Sequence, residues 1–442
     1  MVKVRFINHA SILLEDDLGG ASVLTDPWYE GSVFLNGWDL LFPTETDSKC
    51  FENVKYIWIS HEHPDHFSPT TILNYFNAHP RPKFLFQQTK DRRVVEWLEK
   101  NDFEVLELID GQKVDLEPGL TVFSRSIGTG DAYLILFMGD QVIVNTNDAI
   151  FLRKHLMQLS RDLESVSQID LLTCQFGLAG KVGGKDLVGD EMRRDASDRV
   201  VKLVLDQIRI CKPKFFLPSA SFKYFCRSDN GYMNRGQATP KSVLSAIHGS
   251  SCQPLFLSPG ESYDFLDLPP DPNLLIEKFD NAIRKFEITP DHPVEFDLDR
   301  CLINVQEWWN NQRRFHGFLR LFILALIPGS RASRALTICI GSNNEMILLR
   351  ALNRPQKITK PTKLCIQVSE DVASNAFLND FGLMSVLISA RVDGSEQAIR
   401  RLRTFAFLSS RRQSKLPITL KSIVGEVATY LSSLVVQIAN KF

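Results

Sequence analysis

Paired cysteine motifs are missing from this chain. Its eight cysteines are scattered, with no Cys-x-x-Cys and no Cys-x-His. Neither a zinc knuckle nor a Rieske iron–sulfur cluster is therefore encoded, and a reducing cytoplasm is the simplest setting. A long hydrophobic run is missing too. The longest, Phe315 to Pro328, is interrupted by His316 and Arg320 and is too short to span a bilayer, so no membrane attachment is expected. The start, Met1-Val2-Lys3-Val4-Arg5-Phe6, alternates like a strand and lacks the apolar core of a signal peptide. Charge of one sign is not in excess. With 51 Lys+Arg against 52 Asp+Glu, nothing argues for nucleic acid as the main partner.

Histidine is scarce as well, and that scarcity makes its distribution informative. Of nine histidines in 442 residues, three fall within His61-Glu62-His63-Pro64-Asp65-His66. The cluster follows the apolar run Tyr56-Ile57-Trp58-Ile59-Ser60, which reads as a buried strand. It precedes Ser68-Pro69, an N-cap and first-turn proline for a helix over Thr70 to Phe76. The cluster thus sits on a strand-to-helix loop. Residues two apart in an extended segment point the same way, so His61 and His63 can bind one ion while Asp65 and His66 turn toward a second. The alternative is a solvated loop that happens to be histidine-rich.

Strands and helices alternate up to about residue 268. Short apolar runs over Ala21–Thr25, Lys83–Gln87, Leu120–Ser124, Tyr133–Met138 and Gln141–Asn145 predict strands. Helical periodicity over Ala149–Ser165 and Met192–Cys211 is followed each time by a strand, Ile169–Cys174 and Lys214–Leu217. Leu268-Pro269-Pro270-Asp271-Pro272 reads as a linker, dividing the chain into residues 1–268 and 269–442. Beyond it, helices are expected over Leu274–Phe286, Leu298–Ile327, Gln397–Phe407 and Leu420–Lys441. Strands are expected over Ala335–Ile340, Glu345–Ala351, Leu364–Ser369 and Met384–Val392, giving a smaller α+β domain. Its cluster Arg400, Arg401, Arg403, Arg411, Arg412 and Lys415 reads first as a solvated face, and Trp308-Trp309 as helix packing.

The pattern His-x-His-x-Asp-His resembles the metal motif of the metallo-β-lactamase superfamily. That resemblance implies an α/β fold, an αββα sandwich with two metals at one edge between two sheets. A narrower likeness runs through the other loops. Asn8-His9-Ala10-Ser11 is similar to a segment shared by lactonase-like and phosphodiesterase-like branches. Asp26-Pro27-Trp28-Tyr29-Glu30-Gly31-Ser32-Val33-Phe34 with Gly37-Trp38, Asn145-Thr146-Asn147-Asp148, Pro218-Ser219-Ala220-Ser221-Phe222 and Pro259-Gly260-Glu261 look like loops of the CMP-N-acetylneuraminate hydroxylases, in collinear order over residues 1 to 268. The order of the second domain resembles the sterol-carrier-like domains found behind some superfamily members.

The resemblance assigns roles. A hydrolytic member usually adds a third histidine to the first metal, a bridging aspartate, and a last histidine to the second. Asp148 takes the bridging role, its alternative being the N-cap of a helix starting at Ala149. No histidine occurs between His79 and His155, so Asp131, in Gly128-Thr129-Gly130-Asp131, stands where the third histidine would, unless it is an ordinary turn aspartate. Pro218-Ser219-Ala220 offers no imidazole for the last position. Gln175 is then a neutral ligand, a substrate contact or a structural residue, and His9 either completes the second metal or hydrogen-bonds a ligand from behind. Asp26 is a turn residue or supports a ligand in the same way. His155 and His248 read as surface residues. Trp28, Tyr29, Phe34 and Trp38 would wall a substrate pocket or pack the core, and Asn230, Tyr232 and Asn234 would be polar pocket residues or a turn.

Exchanging imidazole for carboxylate hardens a site and shifts preference from zinc toward iron or manganese. The expectation is a non-haem di-iron monooxygenase that hydroxylates a small-molecule or natural-product conjugate with dioxygen. Because the chain begins directly with the first strand of the metal domain, electrons would come from a separate reductase or ferredoxin, or from the substrate. The alternative is a dinuclear zinc or manganese hydrolase acting on a phosphodiester or lactone.

Overall fold

The computed structural model describes residues 2–16, 20–44, 51–78, 80–128, 130–290, 295–326, 335–342 and 345–419. Two seven-stranded sheets dominate its first part. One runs in the order Ser262–Asp264, Val2–Asn8, Ser11–Asp16, Ser22–Thr25, Tyr56–Ile59, Lys83–Gln87, Val105–Leu108. The other runs Gln253–Pro254, Phe215–Ser219, Leu171–Gln175, Gln141–Asn147, Asp131–Met138, Leu120–Ile127, Lys113–Glu117.

Side-chain alternation explains the layering. In Tyr56–Ile59, Trp58 enters the core between the sheets, while Ile57 and Ile59 join a second core on the opposite face. Leu85 divides from Phe84 and Phe86 in the same way. That outer core is closed by helices Pro69–Phe76 and Arg93–Lys100 through Ile72, Phe76, Val94, Val95 and Leu98. Helices Arg153–Asp162, Leu187–Cys211 and Pro240–Ile247 contribute Leu159, Val204, Ile208, Val243 and Ile247 to the large core of the second sheet. The result is an αββα sandwich. Helix Pro272–Lys285, N-capped by Asp271, also belongs here, because Leu275 and Phe279 are buried in the same core.

A separate core forms around a five-stranded sheet in the order Gln356–Lys357, Glu345–Leu349, Leu336–Ile340, Cys365–Val368, Asp393–Gly394. Helices Leu298–His316, Phe318–Leu326, Glu370–Asn375, Gly382–Ile388 and Glu396–Gln413 accompany it, giving a smaller C-terminal α+β region. Among the described residues no helix is long and apolar enough to cross a membrane.

Several sequence expectations need correction. The apolar stretch expected as strand Met384–Val392 is helix Gly382–Ile388; a short buried run without clear alternation fits either element, and tertiary packing decided it. The helix expected over Leu298–Ile327 is broken at Gly317, whose left-handed φ of 80° ends the first segment. The helix expected from Ala149 begins at Arg153, so Asp148 is not its N-cap. The helix expected over Leu420–Lys441 lies outside the described residues.

Candidate metal centre

All the loops in question meet at one edge of the sandwich. Strand Tyr56–Ile59 lies parallel to both Ser22–Thr25 and Lys83–Gln87, so the chain leaves the sheet at Asp26, Ser60 and beyond Gln87 on the same side. From the other sheet, Gln141–Asn147 ends at Asp148 and its parallel neighbour Leu171–Gln175 ends at Gln175. The turn between the first two strands adds His9, whose carbonyl accepts from Ala220 N at 2.6 Å. Carboxyl-terminal strand edges are where open α/β sheets gather their functional groups.

Two groups of candidate ligands form there. His9, Asp65 and His66 make one, and His61, His66 and Asp148 the other, with the donor atoms of each group within 4.8 Å of one another. His66 Nε2 stands between them, 3.6 Å from Asp65 Oδ2 and 3.5 Å from Asp148 Oδ1. His9 Nε2 is 3.4 Å from Asp65 Oδ2, and His61 Nε2 is 3.8 Å from Asp148 Oδ1. None of these four approaches is a hydrogen bond. His9 Nδ1 and Nε2, His61 Nε2, His66 Nε2, Asp65 Oδ1 and Asp148 Oδ1 are all buried without a hydrogen-bond partner. A buried polar atom left unmade costs about 1–3 kcal/mol, and four of these, His9 Nε2, His61 Nε2, His66 Nε2 and Asp148 Oδ1, lie among the facing carboxylates and imidazoles and need another partner. Imidazole nitrogens and carboxylate oxygens aimed at common points fit metal ions.

The groups behind the ligands orient them. Asp26 Oδ2 lies 3.0 Å from His66 Nδ1, and Asp26 Oδ1 accepts from Ser60 N at 2.7 Å. Ser60 Oγ lies 2.9 Å from His61 Nδ1 and 3.2 Å from His66 Nδ1. With Nδ1 engaged, both rings present Nε2 to the centre, as metal-binding histidines do. His9, Asp26 and Asn147 hold left-handed φ values of 43°, 38° and 42°. Such conformations cost roughly 1–3 kcal/mol each and persist only where surroundings enforce them. Here Asn8 Oδ1 accepts from His9 N, and Asn147 Nδ2 donates to Ala132 O.

Electrostatics follows the same division. Burial pushes the His61 imidazolium well down, and burial likewise lowers His9 and His63. Burial would lower His66 as well, but the charges of Asp148, Asp65 and Asp26 overcome it and hold its pKa well above the ordinary value. Burial tends to raise Asp148 and Asp65, yet His66 and its neighbours draw both carboxyls down. Desolvation dominates at Asp26 and raises it.

His63 belongs to neither group of three. It is half-buried, its ring 4.3 Å from that of His61, at the mouth. Asp131 opens its strand opposite Ile127, half-buried, and also joins neither group. Its turn is nevertheless pinned beside the metal loop, because Gln87 Nε2 donates both to Ser60 O and to Gly130 O. Gln175 Nε2 donates to Asp148 O at 2.5 Å, which makes it a support for the Asp148 backbone.

The expected substrate residues separate. Tyr29 stacks on Phe51 at 5.3 Å in the helix-side core, and its hydroxyl pairs with Ser11 Oγ, so it does not line the centre. Asn230 is fully buried with its amide donating to Gly37 O and Ser389 O, and Asn234 bonds both backbone groups of Phe225; neither faces a pocket. Tyr232 accepts from Lys181 Nζ. Trp28 packs edge-on to His9 at 5.2 Å, and Trp38 lies with Phe34 and Phe225 in an aromatic cluster beside the loop. His248 is exposed, whereas His155 is half-buried with Nε2 sealed.

Sequence reading missed Ser60, Gln87 and Lys223. A polar residue ending each buried strand was the available signal for the first two. Lys223 gave none: its ammonium donates to Leu178 O and lies over the Trp38 and Phe225 rings at 4.1 and 3.9 Å. Burial brings its pKa down to about 7, against the opposing pull of Asp65.

Residues 3–143 match the family model described as a β-lactamase superfamily domain. The chain carries a β-lactamase superfamily domain. The chain is similar to the cytidine monophosphate-N-acetylneuraminic acid hydroxylase of Xenopus laevis, 33% identical over 97 residues, 22% of this chain and 16% of that protein. It is also similar to a protein of Mycolicibacterium smegmatis named as a Rieske 2Fe-2S iron-sulfur protein, 27% identical over 156 residues, 34% of this chain and 30% of that protein. The matched stretch is thus less than a third of either relative. Solved structures that it resembles include CmlA, a diiron beta-hydroxylase from Streptomyces venezuelae (13% identity, TM-score 0.35, 66% of this chain, 52% of that one). An isothiocyanate hydrolase from Delia radicum gut bacteria gives 15% identity and TM-score 0.42 over 59% of this chain and 98% of that one. The superfamily is one of enzymes, and its fold binds metals in pairs.

Proposed function

We propose that this chain is a non-haem di-iron monooxygenase that hydroxylates a small-molecule or natural-product conjugate, taking electrons from a reductase or ferredoxin outside these 442 residues. The observation that carries the proposal is the donor set. Asp65 and Asp148 face His9, His61 and His66, and Asp26 adds a further carboxylate behind; Asp131, in neither group, is the carboxylate that the resemblance puts where a third histidine would stand. Such a set is harder and more anionic than an all-histidine one, and it favours iron over zinc. The curated relatives named for hydroxylation and for an iron–sulfur protein support the same direction.

In this reading His9, Asp65 and His66 hold one metal, and His61 and Asp148 the other with His66 between the two, while His63 and Asp131 stand at its edge. A pair of irons in such a site supplies dioxygen activation and C–H oxidation. The protein contributes position and dryness. Asp26 and Ser60 fix the rings of His61 and His66, Gln175 fixes the Asp148 backbone, and Trp28 and Phe34 keep water from the buried side.

Protein loaded with ferrous iron, reduced and exposed to oxygen, should give an optical change that zinc-loaded protein lacks. The competing reading is the dinuclear hydrolase. Rapid cleavage of a phosphodiester or lactone by zinc- or manganese-loaded protein, with no oxygen response from the iron form, would replace the proposal with it.

A further inference from the structure

The C-terminal α+β region touches the metal loop at two consecutive places. Phe381, just before helix Gly382–Ile388, sets its ring 5.1 Å from that of His63 and 6.2 Å from Phe34. Phe34 in turn meets His63 edge-on at 5.9 Å. One residue away, Glu62 Oε1 accepts from Gln413 Nε2 at 3.0 Å, at the end of helix Glu396–Gln413. The most exposed imidazole of the motif is therefore covered from the sandwich side by Phe34 and from the C-terminal side by Phe381.

The loop that presents Phe34 is held under strain. Phe34, Leu35 and Asn36 adopt left-handed φ values of 52°, 57° and 55° in succession. L-residues with a Cβ avoid that region, so outside contacts must enforce it. Leu35 packs against the C-terminal core, and its carbonyl accepts from Arg391 Nη1 at 2.8 Å. Arg391, wholly buried, also forks onto Asp371, donates from Nε to both oxygens of Asp229, and reaches Ser369 Oγ. At Gly37 a Cβ would lie 2.5 Å from Ser389 Cβ, so the two regions meet at backbone distance.

We infer that Phe381 is a wall of the substrate pocket, supplied by the C-terminal region, and that Arg391 is the positioning residue that latches the rim loop bearing its partner Phe34. On this view the C-terminal region sets what reaches the metal at His63, and bulky apolar groups of a substrate would contact Phe381, with Phe34 buried behind it. The inference rests on the metal-centre reading alone and holds for oxidation and hydrolysis alike.

The test uses cobalt(II) and a chelator, with no substrate. Full-length protein is loaded with cobalt, its stoichiometry measured, and the rate of cobalt extraction by EDTA followed by absorption. Phe381→Ala should keep the cobalt stoichiometry and lose the metal about tenfold faster, whereas Leu378→Ala, on the same segment but exposed, should match wild type. Arg391→Met should also accelerate extraction, and the double variant should be no faster than the faster single one, because both act through one wall. Additive acceleration would overturn the positioning role of Arg391. Should Arg391→Met not fold, Asp371→Asn tests the same latch by removing the charge onto which the Arg391 guanidinium forks. Equal extraction rates for wild type and Phe381→Ala at intact stoichiometry would overturn the wall while leaving the metal centre standing. Failure of wild type to take up cobalt would instead remove the metal-centre reading and the wall with it.

Discussion

Two regions of this molecule bury histidine, and they do so in opposite ways. At the sandwich edge His9, His61 and His66 are enclosed with four ring nitrogens lacking any hydrogen-bond partner. In the C-terminal core His316 is equally enclosed, yet Nε2 donates to Leu408 O at 2.9 Å and Nδ1 accepts from Ile418 N at 3.3 Å. The second histidine is a complete neutral structural residue. The first three are half-finished, each with at least one nitrogen aimed at a point shared with a carboxylate. Burial alone does not separate ligand from core histidine; unmade hydrogen bonds do.

The largest effect that would sharpen this contrast is at Asp148. Asp148→Ala should remove one or both metals and abolish turnover; retention of the full two-metal complement by elemental analysis would break the assignment. His63→Ala should likewise abolish activity, while His316→Gln should leave metal content untouched.

Next comes acid sensitivity at His316. Burial, with help from Arg411, Arg412 and Arg320, lowers its pKa from 6.5 to about 4. Between those values the unfolded chain binds a proton that the folded one refuses, so stability is full above pH 6.5 and falls as pH drops toward 4. The loss is roughly 3 kcal/mol over the whole window. Urea midpoints at pH 7 and pH 5 should show it in wild type, and His316→Gln should lack that increment. An identical pH response in both proteins would show that His316 is not the group refusing the proton.

A smaller effect is expected behind the ligands. Asp26→Asn keeps the shape at His66 Nδ1 and removes the charge, which should weaken metal binding about 10- to 100-fold without unfolding the protein. Unchanged affinity in a competition titration would place Asp26 outside the site. The smallest is a shift of preference. Asp131→His should favour zinc and depress oxidative turnover, and undisturbed oxidation would mean that Asp131 is not a ligand.

Local chemistry was legible in the sequence. Ser68 accepts from Thr71 N as the N-cap, Pro69 opens the helix, and the histidine cluster lies on the strand-to-helix loop that the apolar run implies. The αββα sandwich and a place for Asp148 beside the histidine cluster were expected from the resemblance to the metallo-β-lactamase superfamily, and the structure brings His61, His66 and Asp148 together. What stayed hidden depends on distance along the chain. His9 reaches Asp65, and Phe381 reaches His63, across separations that no local period records. Met384 to Val392 failed for another reason: a short, mostly apolar run broken by Ser385, Ser389 and Arg391 carries neither a strand's alternation nor a clear helical stripe, and only its packing determines which it becomes. The aromatic positions expected to wall a pocket or pack the core part company, since Phe34 meets His63 while Tyr29 packs in the opposite core.

The central claim is that the orphaned nitrogens and carboxylates hold two irons. It is tested most directly by metal analysis of protein produced with iron, joined to Mössbauer and optical spectra before and after reduction and exposure to oxygen. The account predicts about two irons per chain and a diferrous form that oxygen consumes. Tightly held zinc, with no response to oxygen after iron loading, would contradict it.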